Sequence, residues 1–159
     1  MNRESCLTLI LHNIRSVYNV GAIFRTADAS GIEKIYLTGY TPSPLDRFGR
    51  VRKDIMKTAL GAEKSVAWEC RLSTSEAIAE HVEKGYKIVA LEQSLKSIDY
   101  KKFKPPEKTA LIIGEERYGI TEDILNQCDE IIEIPMRGIK ESLNVSVATG
   151  IALFRILGI

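Results

Sequence analysis

Strand-length apolar runs alternate with segments of helical period along almost the whole chain, and this alternation is the feature that most limits what the chain can fold into. Residues 6–12 (CLTLILH), 34–38 (KIYLT), 65–69 (SVAWE), 87–92 (KIVALE), 109–113 (TALII) and 130–134 read as strands. Several are apolar almost throughout, as strands covered on both faces must be. Between them, 19–30 carries Val20, Ile23, Phe24 and Ala27 on one helical face, and Gly31 follows as a stop. Residues 73–84 form a second helix, with Ser73 or Thr74 as N-cap and Gly85 beyond its end. Short helices are expected over 54–60 and from Thr121 to Asn126, and 142–157 closes the chain as an apolar helix. The stretches 39–53 and 94–108, rich in charge with Pro or Gly, read as loops. The pattern predicts an α/β fold with a mostly parallel sheet and helices on both faces. No linker or internal repeat interrupts it, so one domain over 1–159 is expected.

Composition narrows the chemistry. Lys and Arg number 22 against 21 Asp and Glu, so binding to a polyanion must come from a local patch and not from a global field. Cys6, Cys70 and Cys128 stand far apart, as do His12 and His81, so no metal-ligand spacing exists and no metal is expected. Idle or buried thiols in a reduced compartment fit an intracellular chain. The apolar run Leu7–Leu11, with Glu4 beside it, is too short for a signal core or a membrane span, and a cytoplasmic protein is expected. The widespread phosphate loops, GxxxxGK[ST] and GxGxxG after the first strand, are missing, and so is the GxSxG elbow. A nucleotide-binding α/β chain without them must hold its ligand by loops of another kind.

Three segments carry candidate chemistry. In 13–31, Asn19 leads into a helix and is a candidate cap, and Gly21 permits close approach of a backbone or ligand. Arg25, six residues on, lies within about 120° of Asn19 around the helix and offers a planar fork for a phosphate. A capped helix with a surface arginine is the plainer reading. In 109–120, a buried strand ends at Gly114 and opens into Glu115, Glu116 and Arg117, closed by Gly119. Ligands of open α/β sheets bind beyond such carboxyl ends, and either glutamate could hold a ribose; an acidic surface turn is the alternative. In 134–154, Ser142, Asn144 and Ser146 gather at a helix start, which offers free N–H donors or is only a cap.

Taken in order, these segments resemble the SpoU-type RNA 2′-O-ribose methyltransferases of the SPOUT class. The motif N-x-G-x-x-x-R is matched by Asn19, Gly21 and Arg25, and G-x-E-x-x-G by Gly114, Glu116 and Gly119. The third, I-P-M-x-G-x-x-x-S-L-N-V-S, is matched by Ile134, Pro135, Met136, Gly138, Ser142, Leu143, Asn144, Val145 and Ser146. The resemblance implies a deep C-terminal trefoil knot, S-adenosylmethionine bound by the knot loops, and a homodimer whose active site draws on both subunits. It places Gly114, Glu115, Gly119, Ile134, Met136, Ser142, Leu143 and Asn144 at the cofactor, and gives Arg25, Asn19, Glu116, Ser142 and Asn144 to catalysis. Many relatives carry Gly after the motif-two glutamate where Arg117 stands here, which leaves Glu115 and Glu116 both open as the motif carboxylate. No separate RNA-binding domain is expected within the chain.

RNA contact then falls to basic patches. Arg47, Arg50, Arg52 and Lys53, with Lys57, form the densest cluster, and Arg117 adds a charge near the cofactor loops. Lys101, Lys102 and Lys104 with Tyr100 and Phe103 form a second; a solvated charged face is the plain alternative for each. The last helix is apolar nearly all round, which core packing and a two-fold interface would together explain. The substrate is an RNA, tRNA being favoured over rRNA. A SPOUT enzyme acting on a base, or an inactive RNA-binding module of the same fold, are the competing readings.

Overall fold

Seven strands and six helices follow one another in a computed structural model that describes residues 5–159. In chain order they are β1 (Cys6–His12), α1 (Val17–Ser30), β2 (Lys34–Thr38), α2 (Lys53–Ala59), α3 (Ala62–Ser65), β3 (Ala67–Arg71) and α4 (Thr74–Glu83). The second half continues with β4 (Lys87–Leu91), β5 (Ile98–Asp99), β6 (Lys108–Ile113), α5 (Glu122–Leu125), β7 (Glu130–Glu133) and α6 (Val145–Leu157). The strands form one sheet in the order β3-β2-β1-β6-β4-β7-β5, and every pairing is parallel. Strand order reverses between β1 and β6, and an open α/β sheet leaves its ligand crevice beyond the carboxyl ends at such a point.

Period-two alternation splits the core into two layers. On one face Leu7, Leu9 and Leu11 of β1, with Leu111 and Ile113 of β6, meet Val20, Ile23, Phe24 and Ala27 of α1 and Ala152 and Leu153 of α6. On the other, Ile10, Ile88, Ala90, Ala110 and Ile112 meet Ala77 and Ile78 of α4 and Ile124 and Leu125 of α5. Helices therefore cover both faces. Each large side chain so buried contributes roughly 1.5–3 kcal/mol, which is what holds the layers together.

Both histidines belong to the α4 layer. His81 Nδ1 donates to the Ala77 carbonyl at 2.7 Å, and its Nε2 accepts from the Thr8 hydroxyl at 3.0 Å. The Thr38 hydroxyl donates to the Leu11 carbonyl and so accepts from Thr74, which in turn accepts from His12 Nδ1 at 2.6 Å. Burial pushes both imidazoles below the usual histidine pKa; Glu115 acts weakly the other way on His12.

Several boundaries differ from the sequence expectation. Helix α1 begins at Val17, because Ser16 and not Asn19 is its cap: the Ser16 hydroxyl accepts from the Asn19 N–H at 3.2 Å. Helix α6 begins at Val145, and Ser142 stays in the preceding loop. The stretch 94–108 contains the two-residue strand β5, α3 follows α2 unforeseen, and β3 runs 67–71 instead of 65–69. The thiols are not uniformly buried, since Cys70 is exposed; Cys128, by contrast, is pushed up to about 12 by burial. Glu4, used above against a signal segment, lies outside the described residues.

Candidate active site

Loops beyond the carboxyl ends of β4, β6 and β7 enclose a cleft of about 570 Å³. It is formed by Leu91–Gln93 after β4, by Ile113–Gly119 after β6, and by Glu133, Ile134, Met136 and Glu141–Val145 between β7 and α6. Side-chain bonds tie the loops together: the Gln93 amide donates to the Glu141 carbonyl at 2.6 Å, and Glu92 accepts from the Ile120 N–H at 2.9 Å. The β6 turn folds back so tightly that a Cβ at Gly114 would sit 2.6 Å from Ile120 Cγ1 and 2.7 Å from the Gly119 carbonyl carbon. Only glycine fits there.

The two adjacent glutamates have different tasks. Glu115 is buried, and its carboxylate accepts from the N–H groups of Tyr118 at 2.8 Å and Arg117 at 3.4 Å, so it holds its own turn. Glu116 points the other way. It accepts from the N–H groups of Arg15 at 3.0 Å and Ser16 at 3.2 Å, and from the Asn19 side chain at 3.1 Å. Partial burial raises its pKa, but these donors outweigh burial and hold the carboxyl below its usual range.

From Glu116 a chain of bonds runs through all three motif segments. A carboxylate only accepts, so Asn19 must turn its amino group to Glu116. That leaves the Asn19 oxygen, which accepts from the Asn144 amino group at 3.2 Å. The Asn144 oxygen is then free to accept from the N–H and hydroxyl of Ser146, at 2.9 and 2.6 Å, and from the Val147 N–H at 3.4 Å. One carboxylate thus fixes two amide orientations, and the second of them turns the Asn144 oxygen to cap α6.

The eight residues expected at the cofactor, Gly114, Glu115, Gly119, Ile134, Met136, Ser142, Leu143 and Asn144, all line the cleft, as does Arg117. Glu116 lines it too, and Asn19 joins through its bonds. Arg25 does not: it is exposed on a separate groove of about 550 Å³ between α1, α2 and α6, with Lys57, Thr58 and Phe154. Gly21 opens no path to a ligand. The approaching group is α2, whose Thr58 Oγ1 and Ile55 carbonyl oxygen would lie 2.0 and 2.5 Å from a Cβ there. Glu92, Gln93 and Glu141 escaped the sequence reading; the end of a buried strand at KIVALE was the one signal for the first two.

The basic clusters prove uneven. Arg50 pairs with Asp46 at 2.9 Å and Arg52 with Asp54 at 2.9 Å, while Arg47 and Arg50 both lie about 5 Å from the Phe48 ring. Lys53 and Lys57 have no carboxylate in ion-pair range among the described residues. Tyr100 and Phe103 of the second stretch are half-buried against the core, which takes up much of their stacking surface. Among the described residues no cluster of three metal-ligating side chains occurs, and no helix is long and apolar enough to cross a membrane.

Fold and cleft define an open parallel α/β protein with a cleft of small-ligand size at the carboxyl ends of its strands. The family described as SpoU rRNA methylase matches residues 6–154, and the chain belongs to it. It is 30% identical over 152 residues to the tRNA (guanosine(18)-2′-O)-methyltransferase of Escherichia coli strain K12, covering 96% of this chain and 63% of that one. The chain thus spans under two thirds of that relative's length. The AdoMet-bound rRNA methyltransferase of Sinorhizobium meliloti superposes with a TM-score of 0.87 at 27% identity, over 96% of this chain and 56% of that one. A structure solved for the 2-OH methylation of C/U34 on tRNA gives 0.80 at 25% identity, over 96% of this chain and 95% of that one.

Proposed function

We propose that the chain transfers a methyl group from S-adenosylmethionine to a ribose 2′-hydroxyl of a structured RNA. The observation that carries this reading is the bonded chain Glu116–Asn19–Asn144, which joins the three motif segments on the rim of one cleft. The cleft suits the cofactor. Its volume lies in the usual small-ligand range. Leu91, Ile113, Ile134, Met136 and Val145 give a flat base apolar walls, and Glu92, Glu115, Glu116, Glu133 and Glu141 outnumber the one cation, Arg117. That balance favours a ligand of net positive charge and disfavours a polyphosphate. When bound, S-adenosylmethionine supplies a methyl carbon activated by its positive sulfur.

The protein's part is alignment and charge. Asn19 and Asn144 orient the groups at the cleft rim with Glu116 as their anchor, and Ser142 lines the same cleft. Arg25 steadies the ribose oxygen as it loses its proton, or grips a neighbouring phosphate; a guanidinium is a poor base. Its separation from the cleft within one chain supports a homodimer in which Arg25 faces the partner's cleft. Leu143, Val147, Ile151 and Phe154 repeat at three- and four-residue spacing and stay 37–50% exposed, which gives such an interface its apolar stripe. The loops after β6 and β7 would form the family's trefoil knot. tRNA is the favoured substrate, supported by the C/U34-related structure, nearly all of which this chain covers. The cytoplasm, where such RNA resides, is the compartment.

Radiolabelled methyl transfer into tRNA and rRNA separately, followed by nucleoside analysis, tests the reading. A 2′-O-methyl nucleotide is expected, most strongly from tRNA. A base-methylated product, or none although S-adenosylmethionine binds, overturns it.

A further inference from the structure

The second groove divides the charge of the molecule differently from the cleft. Its lining includes Arg25 and Lys57 and no acidic residue, with Thr58 at one wall and the half-exposed Phe154 at the other. Lys57 is the second of two lysines, with Lys53, four residues apart on exposed turns of α2. Residues at that spacing share a helix face, about 6 Å apart along the axis. Neither has a carboxylate in ion-pair range among the described residues, whereas the neighbouring Arg50 and Arg52 spend their charge on Asp46 and Asp54. Helix α2 is held rigidly to α1: the Thr58 hydroxyl donates to the Tyr18 carbonyl at 2.8 Å, and Gly21 lets the two backbones touch. The backbone positions of the two lysines are therefore fixed relative to that of Arg25.

We propose that Lys57 and Lys53 form a phosphate ladder leading to Arg25, along which the RNA strand bearing the target ribose is laid. Lys57 grips the phosphate next to the reacting nucleotide and Lys53 one further along. Of the basic cluster, the free ammonium groups of Lys53 and Lys57 meet the strand first; Arg50 and Arg52 must each exchange an exposed carboxylate partner, a step of small cost that makes them secondary contacts. Lys57 is a positioning residue here; it touches the backbone of the RNA and carries no sequence information. The inference rests on the RNA-methyltransferase reading.

The test uses the full chain, bulk bacterial tRNA and S-adenosylmethionine. Lys57→Ala should raise KM for tRNA about 5–10-fold and leave kcat within about twofold, and the slope of log K against log salt should fall by roughly 0.7–0.9. Lys57→Arg should restore most of both. Calorimetric affinity for S-adenosylmethionine should not change, and Lys87→Ala, at the amino end of β4, should behave as wild type. A wild-type KM and salt slope in Lys57→Ala overturn the ladder, as does a defect that Lys57→Arg cannot rescue. If the unaltered protein methylates neither tRNA nor rRNA, the enzyme reading itself fails and takes the ladder with it.

Discussion

Asn144 serves two masters with one side chain. Its oxygen caps α6 and its amino group reaches Asn19, and the two tasks can be separated by chemistry. Asn144→Asp keeps the oxygen that caps, and its charge favours a helix N-terminus. It removes the donor and sets a carboxylate against the Asn19 oxygen. The expected outcome is a melting temperature close to wild type with methyl transfer down at least tenfold, read from paired thermal melts and turnover assays. Asn144→Ala loses both tasks, and about 1 kcal/mol of helix stability with them. If Asp and Ala variants proved equally unstable, the capping geometry would be wrong. The Glu115 and Glu116 pair shows how far a motif alone can be pushed. Spacing left both open; the buried carboxylate turned out to brace its own loop and the exposed one to reach across the sheet.

The contact of α1 with α2 builds the basic groove, which both helices line. Gly21→Ala would force a methyl into Thr58 and the Ile55 carbonyl, and a backbone oxygen cannot rotate away. Overpacking of this kind costs about 2–3 kcal/mol, a fall of roughly 5–10 °C in Tm. Differential scanning calorimetry would show it, and a fall under 2 °C would mean that the helices separate freely. Strands β1, β2, β4, β6 and β7 were legible because their apolar runs are buried on both faces. What escaped did so for physical reasons. β5 has two residues in a polar stretch and α3 has one turn, while the edge strand β3 was found but placed two residues early, because it is half exposed and lacks a continuous apolar run. The start of α1 was misplaced because Ser16 and Asn19 are both good caps, and only the distant carboxylate of Glu116 takes the Asn19 side chain away. Of the site, the three motif segments were visible as strings. Their joining was not, since its bonds cross about a hundred residues of chain.

Across the whole molecule, two neutral imidazoles sit in one layer, and their folded-state pKa values lie below those of the unfolded chain. Between the lowered value and about 6.5 the unfolded state binds more protons, so stability falls as pH drops through that window and is level above it. Glu80, held down to about 2 chiefly by Arg71, adds a second loss below its usual range near 4.5. Thermal melts should therefore be flat from pH 8 to 7 and decline below about 6.5; a Tm that climbed on acidification to pH 5.5 would contradict the buried-neutral assignment. The parallel sheet has a consequence for synthesis as well. The central strand β1 is made about a hundred residues before β6, its register partner on one side: Leu9 waits for Leu111. At ribosomal rates of roughly 5–20 residues per second, the growing chain carries an open, apolar strand edge for several seconds. Its birth, more than its working life, is when this protein most needs an escort against aggregation.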